Sequence, residues 1–363
     1  MSRLRAKIFD VTQLLLSPSY AVGRAAFLAA SERAGASITS TPHPLRGIDD
    51  EQLFVDVADL GPADADTVVL VVSATHGAEG YCGSALQTHW LACHAATRPA
   101  STRIVHVHAL NPFGMAWVRR VNEDNVDLNR NFVDWSRPPT NADYDAIAAL
   151  VVPAQWTDEE QQRTTLELLA LAERWGFARV QAVVSGGQYA HPTGVFYGGS
   201  GPVWSHRWLR EFCATRLHSA GRAVVIDLHT GLGPWGVGEL ISSESKGGPH
   251  YDRAAALWGD ITSMIDGGSV SAVLAGDWMA AVAELLPQAA VTPITIEFGT
   301  VDPITVLQAL RADAWLHAHG DPRGAAAQKV RAQVRAAFAD DDPAWIAACW
   351  TRFVDVMEAA ITA

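Results

Sequence analysis

The sequence has few cysteines and little concentrated positive charge. Its four Cys (Cys82, Cys93, Cys213, Cys349) are scattered, with no C-x-x-C pair. That pattern gives neither a disulfide framework nor a thiolate zinc site, and reduced thiols in a cytoplasmic protein are expected. The net charge is −12 and Lys and Arg do not cluster. Nucleic acid and anionic membrane surfaces are therefore not expected as partners. No stretch has the run of uncharged apolar residues that a transmembrane helix needs. Met1-Ser2-Arg3-Leu4-Arg5 opens a mixed segment without a long apolar core or a small-residue cleavage site, so no signal peptide is expected. Internal repeats and low-complexity linkers are also missing. The expected partner is a small molecule or a peptide.

Apolar residues are abundant. Of 363 residues, 49% are hydrophobic and 18% charged, enough for a large buried core. The thirteen Trp are expected in the core or in pocket walls. Residues 19–34 read as an amphipathic helix that Gly35 stops. Strand patterns fall at 53–60, 68–73, 103–110, 223–228 and 291–298. Helical spacing falls at 84–94, 158–175, 204–220 and 251–265, followed by an Ala-rich helical tail over 303–360. Residues 133–160 and 185–202 read as long loops, the second rich in Gly. Strands alternating with helices predict an α/β fold with a largely parallel sheet, in one domain over 1–363.

Four motifs carry chemistry. His76-Gly77-Ala78-Glu79 follows a buried strand, and a tight Gly turn there can aim a His and a Glu at one point. Imidazole nitrogen and carboxylate oxygen are both zinc ligands, and a catalytic zinc commonly takes three protein ligands. Alone, the same four residues also read as a turn with a solvated Glu. Asp227-Leu228-His229 ends a second strand, at the edge where open α/β sheets place their ligands. His229 is either a third ligand, with Asp227 orienting it or another ligand, or a core His bonded to backbone. Asp127-Leu128-Asn129-Arg130-Asn131-Phe132, preceded by Arg119-Arg120, concentrates Arg and Asn beside apolar residues. Arg offers a planar fork that matches a carboxylate; the alternative is a polar loop that caps a helix. Glu297 ends the β-branched run Ile294-Thr295-Ile296. It is either an exposed strand-end acid or a general base beside a metal-bound water.

Two other patterns carry no function. Gly231-Leu232-Gly233-Pro234-Trp235-Gly236 fits G-x-G-x-x-G, but Pro234 removes an N–H from the loop that would cradle a pyrophosphate. Gly198-Gly199-Ser200-Gly201-Pro202 does not fit the G-x-S-x-G nucleophile elbow.

The four motifs, in this order, are similar to the zinc carboxypeptidase superfamily of metallopeptidases, and in detail the chain resembles a bacterial branch of it. The matching phrases also include Asn111-Pro112-Phe113-Gly114, Asp227-Leu228-His229-Thr230-Gly231 and Glu297-Phe298-Gly299-Thr300, and together they span most of residues 70 to 300. The resemblance implies one zinc ion held by His76, Glu79 and His229. It implies that Asn129 and Arg130 bind a substrate carboxylate, that Arg120 (or Arg119) stabilises the oxyanion, and that Glu297 is general base and acid. The implied fold is a mixed, mostly parallel eight-stranded sheet with helices on both faces. The implied reaction is hydrolysis of a peptide or amide bond next to a free carboxylate. One departure stands out: these carboxypeptidases carry a mobile Tyr shortly before the catalytic Glu, and the segment around Val273–Met279 has none. The related succinylglutamate desuccinylase and aspartoacylase enzymes share the core and cleave N-acyl amino acids. The substrate is thus expected to be a small peptide or an N-acyl amino acid. A non-catalytic metal- or ligand-binding protein on the same scaffold is the third reading.

Overall fold

The computed structural model describes residues 14–363. The Met1–Arg5 segment, read above for a signal peptide, lies outside the described residues. The strands are β1 (Ser37–Arg46), β2 (Gln52–Leu60), β3 (Thr67–Ser73), β4 (Thr102–His108), β5 (Arg222–Gly231), β6 (Gly238–Ser242), β7 (Thr262–Ser263) and β8 (Ala290–Gly299). The helices are α1 (Tyr20–Arg33), α2 (Gly80–Cys93), α3 (Pro112–Trp117), α4 (Ala148–Val151), α5 (Asp158–Trp175), α6 (Phe177–Ser185), α7 (Trp204–Arg216), α8 (Pro249–Trp258), α9 (Trp278–Leu285), α10 (Pro303–His319), α11 (Ala325–Phe338) and α12 (Pro343–Ile361).

The eight strands form one sheet in the order β1-β2-β4-β3-β5-β8-β6-β7. The centre, β4-β3-β5-β8, is parallel. Antiparallel pairs join β1 to β2, β2 to β4, and β6 to β8. This is the mixed, mostly parallel α/β sheet that the resemblance implied. Alternation along β3 explains its two covered faces. Val69 and Val71 enter a core with Phe27, Trp90, Trp345 and Phe353. Val68, Leu70 and Val72 enter the opposite core with Leu209, Phe212, Met279 and Val282. A third apolar cluster joins α5, α6, α10 and α11 through residues such as Leu168, Val184, Leu310 and Val334. None of the helices formed by the described residues is long and apolar enough to cross a membrane.

Several elements differ from the sequence reading, whereas the Gly-rich decoy agrees with it. Strand β1 carries Pro42 and Pro44 and is mostly exposed, which suits an edge strand and hides the alternation that marks a core strand. The helix predicted over 251–265 stops at Trp258, because Gly259 takes φ +77°; the chain then pairs as β7 beside β6. The Gly-rich decoy after His229 leads into β6 and not into a helix, so no helix N-terminus is available there for a phosphate.

From β3 the chain crosses to β4 on one side, and it later enters β5 on the other side of β3. The strand order therefore reverses between β3 and β5. In open α/β sheets that reversal opens a crevice at the carboxyl ends of the strands, where ligands bind.

Candidate metal centre and active-site cavity

His76 follows the end of β3, and His229 lies near the end of β5, so the two flank the crevice. Glu297 on β8 is the register partner of His229 on β5. The turn that carries His76 and Glu79 is strapped to the segment after α3. Gly77 N donates to Arg120 O (3.1 Å) and Ala78 N to Arg119 O (2.7 Å). Gly77 is required by this approach: a Cβ there would meet the Gly114 carbonyl carbon at 1.9 Å and Met115 N at 2.1 Å. Asn111 caps α3 by accepting from Gly114 N at 2.8 Å, and Val118 in the left-handed region (φ +55°) turns the chain back toward the site.

His76, Glu79 and His229 are buried, and one ligand atom from each lies within 4.8 Å of the others. Their Nδ1 atoms face inward. His76 Nδ1 is 2.9 Å from Glu79 Oε1, His229 Nδ1 is 2.9 Å from Glu79 Oε2, and the two Nδ1 atoms are 3.1 Å apart. Both Nε2 atoms face acids: His76 Nε2 is 3.0 Å from Asp127 Oδ1, and His229 Nε2 is 2.6 Å from Asp227 Oδ2. A carboxylate on Nε2 fixes the proton there and leaves the Nδ1 lone pair for a metal, the arrangement that orients metal-ligating His. Asp227 is itself held by Thr75 Oγ1 (2.8 Å) and Trp278 Nε1 (2.6 Å). Two imidazole nitrogens and one carboxylate oxygen suit a hard-to-borderline divalent cation.

Charge is tightly organised around this cluster. Burial pushes the Glu79 carboxyl up, but His76, Arg120 and His229 outweigh it and hold the group well below the usual carboxylate range. Asp127 behaves alike: Arg120, Arg130 and His76 overcome its burial. Arg120 bridges the two acids, with Nη1 on Glu79 Oε1 (2.7 Å) and Nε on Asp127 Oδ2 (3.0 Å). Glu297 goes the other way. Burial, reinforced by the charge of Glu79, raises it to about 7, against His229, the Leu232 N–H and Arg120. Leu232 N donates to its Oε1 at 2.9 Å. A carboxyl near neutrality beside a cation site is poised to take and return a proton.

These residues share a cavity of about 240 Å³ lined by His76, Arg120, Asn129, Arg130, His229 and Glu297 among others. Asn129 is buried, and its side-chain oxygen has no partner among the described residues; it is an acceptor, so a carboxylate would take the amide N–H instead. Arg130 donates from Nε and Nη2 to Ser185 O (3.1 and 2.5 Å) and from Nη1 to Asn129 O (3.0 Å). That fixes the plane of its guanidinium at the cavity wall. Arg119, the alternative to Arg120, is turned away: its Nε lies on Asp313 (3.0 Å) and its Nη2 on Asn125 (2.9 Å).

Some neighbours had no sequence signal. Phe196 lies beneath both Arg120 and Arg130, 5.5 and 5.2 Å from its ring. Asp127 was legible as part of a polar phrase, but its grip on His76 was not. Trp278 is buried behind Asp227. Gln188, Tyr189, His191 and Tyr197 do not line the cavity. Tyr189 braces Arg130 from behind, through Oη to Arg130 O at 2.6 Å. Among the described residues, none of those lining the cavity is a Tyr.

Among solved structures the chain is similar to a proposed metallopeptidase of Shewanella amazonensis SB2B, at 12% identity over 82% of this chain and 92% of that one, with a TM-score of 0.44. It is also similar to a succinylglutamate desuccinylase of Silicibacter sp. TM1040 (15% identity, 78% of this chain and 66% of that one, TM-score 0.39). A third is bovine thrombin-activatable fibrinolysis inhibitor, solved with a tick carboxypeptidase inhibitor (11% identity, 87% of this chain and 96% of that one, TM-score 0.43). No protein of curated function matches the chain. Its sequence fits, over residues 16–352, the family described as "Protein of unknown function (DUF2817)", and the chain belongs to that family.

Proposed function

We propose that this protein is a zinc-dependent hydrolase of an amide bond that lies next to a free carboxylate. The observation that carries this reading is the convergence of His76 Nδ1, His229 Nδ1 and Glu79 on one point, in one cavity with Glu297 and Arg120. Those three side chains would hold a single ion. When bound, zinc supplies Lewis acidity, which makes water a stronger acid and polarises a carbonyl.

The chain's own groups divide the remaining work. Glu297 accepts the proton of the attacking water and returns it to the departing amine. Arg120, kept cationic by Asp127 and Glu79 against its burial, stabilises the negative charge that develops on the scissile carbonyl oxygen, a contribution commonly worth about 3–4 kcal/mol per donor. Asn129 and Arg130 hold the substrate carboxylate and so fix which bond meets Glu297.

Two observations bear on substrate. A pure binding protein has no use for a buried carboxyl such as Glu297, which is the register partner of His229 and lines the same cavity. The lack of a cavity-lining Tyr favours N-acyl amino acid hydrolysis over the carboxypeptidase reaction of the resembled peptidases. The test is elemental analysis of purified protein, followed by an assay for released amine on a panel of peptides and N-acyl amino acids. One zinc per chain and turnover of N-acyl amino acids are expected. Protein that neither retains nor takes up stoichiometric zinc would refute the reading.

A further inference from the structure

The two halves of the cavity differ in chemistry. On the Arg130 side the walls are mixed, with Ser243 and Asp277 standing beside Ile241, Met264 and Leu274. Ser243 Oγ donates to Asp277, and both residues line the cavity. Gly276 packs against Arg130 O, where a Cβ would sit 2.5 Å away. The other half lies past Gly231 and Leu232, between α6 and α10. There Val180 and Val184 of α6 face the cavity with Leu307 and Leu310 of α10. Phe338 closes the inner end: a Cβ on Gly231 would meet its ring at 3.1 Å and Glu297 Oε1 at 3.6 Å. The outer end is also apolar, since Phe177 and Ile304 line the mouth while 69% and 59% exposed. Gln181 and Ser185 are the polar side chains that α6 adds, and Ser185 Oγ is spent on Gln181 O.

We propose that the substrate's acyl portion is a long apolar chain, bound between α6 and α10, while its carboxylate lies on the Arg130 side. The proposal rests on the hydrolase reading for the position of the scissile bond. Its occupant follows from continuity: the apolar cleft opens directly off Glu297 and His229, so a group bonded to the scissile carbonyl enters it. Among the described residues the non-His cations lining the cavity are Arg120 and Arg130; Arg120 is held by Glu79 and Asp127, and Arg130 meets α6 at its last residue, through Ser185 O. An acyl group with a second carboxylate finds no partner between α6 and α10, and burying it there unpaired is costly. Exposed Phe177 and Ile304 are a standing apolar surface that a chain of several methylenes covers.

The test is calorimetric titration of zinc-loaded Glu297→Gln protein with N-acyl-glycines of increasing chain length, from acetyl through hexanoyl to decanoyl. Affinity is expected to rise roughly fourfold per buried methylene. Val180→Asp should cut the decanoyl-to-acetyl affinity ratio at least tenfold, whereas Leu166→Asp, on the exposed face of α5, should leave it within twofold. An affinity independent of chain length overturns the proposal, as does equal loss in both variants. Wild-type turnover of the same series separates the two claims. Graded binding without turnover defeats the hydrolase reading and keeps the apolar site; turnover with flat binding does the reverse.

Discussion

At the scale of single residues, the site depends on which atoms are left free. Each His spends Nε2 on an acid, so removing that acid should loosen the metal without touching a ligand. Asp227→Asn keeps the shape but presents an amide to His229 Nε2, Trp278 Nε1 and Thr75 Oγ1, which a carboxylate accepts together. Metal affinity is expected to fall about 10–100-fold, as measured by competition with a chromogenic chelator. Glu297→Gln should retain the metal and lose about 10²–10⁴-fold in turnover, read by steady-state rates beside elemental analysis. His76, Glu79, His229 and Glu297 were legible in the sequence because each sits at or just past an apolar run, and a strand end fixes where its side chain points. Phe196 and the apolar faces of α6 and α10 were not legible. Their roles come from packing between segments that share no periodicity with the strands.

At the scale of elements, the turn after β3 has no spare volume. Gly77→Ala would drive a methyl into the Gly114 and Met115 backbone, which cannot give as a side-chain tip would. A loss at the upper end of the usual overpacking range, about 3 kcal/mol, is expected together with loss of metal. Thermal unfolding and zinc content would check this. Gly201→Ala, where a Cβ meets nothing within 4 Å, is the neutral control. The central strands were readable because both faces of each are covered, which leaves runs such as Val68–Val72 unbroken. The edges were not: β1 is pinned by pairing with β2 more than by its own pattern, and two-residue β7 exists only because β6 lies beside it.

At the scale of the whole molecule, acid should weaken the fold through the centre of the sheet. Burial lowers His106 from 6.5 to about 3 and His108 to about 4, and neither ring nitrogen of His106 has a partner among the described residues. The unfolded chain then binds more protons than the folded one between those values and 6.5. Stability from these groups is complete above pH 6.5 and drains away as pH falls toward 4. The melting temperature should drop over that window, and His106→Phe should flatten the slope. Zinc should act in the opposite sense, adding about 2.7 kcal/mol at a hundredfold excess over its dissociation constant, seen as a melting point that rises with zinc and falls with chelator. The spacing of the ligands has a last consequence. Glu79 and His229 are 150 residues apart in the chain, so no short stretch can assemble the site before β3 and β5 have zipped together. A bound ion would act as a clasp across the middle of the sheet, and the rate at which it escapes would time how often that seam opens.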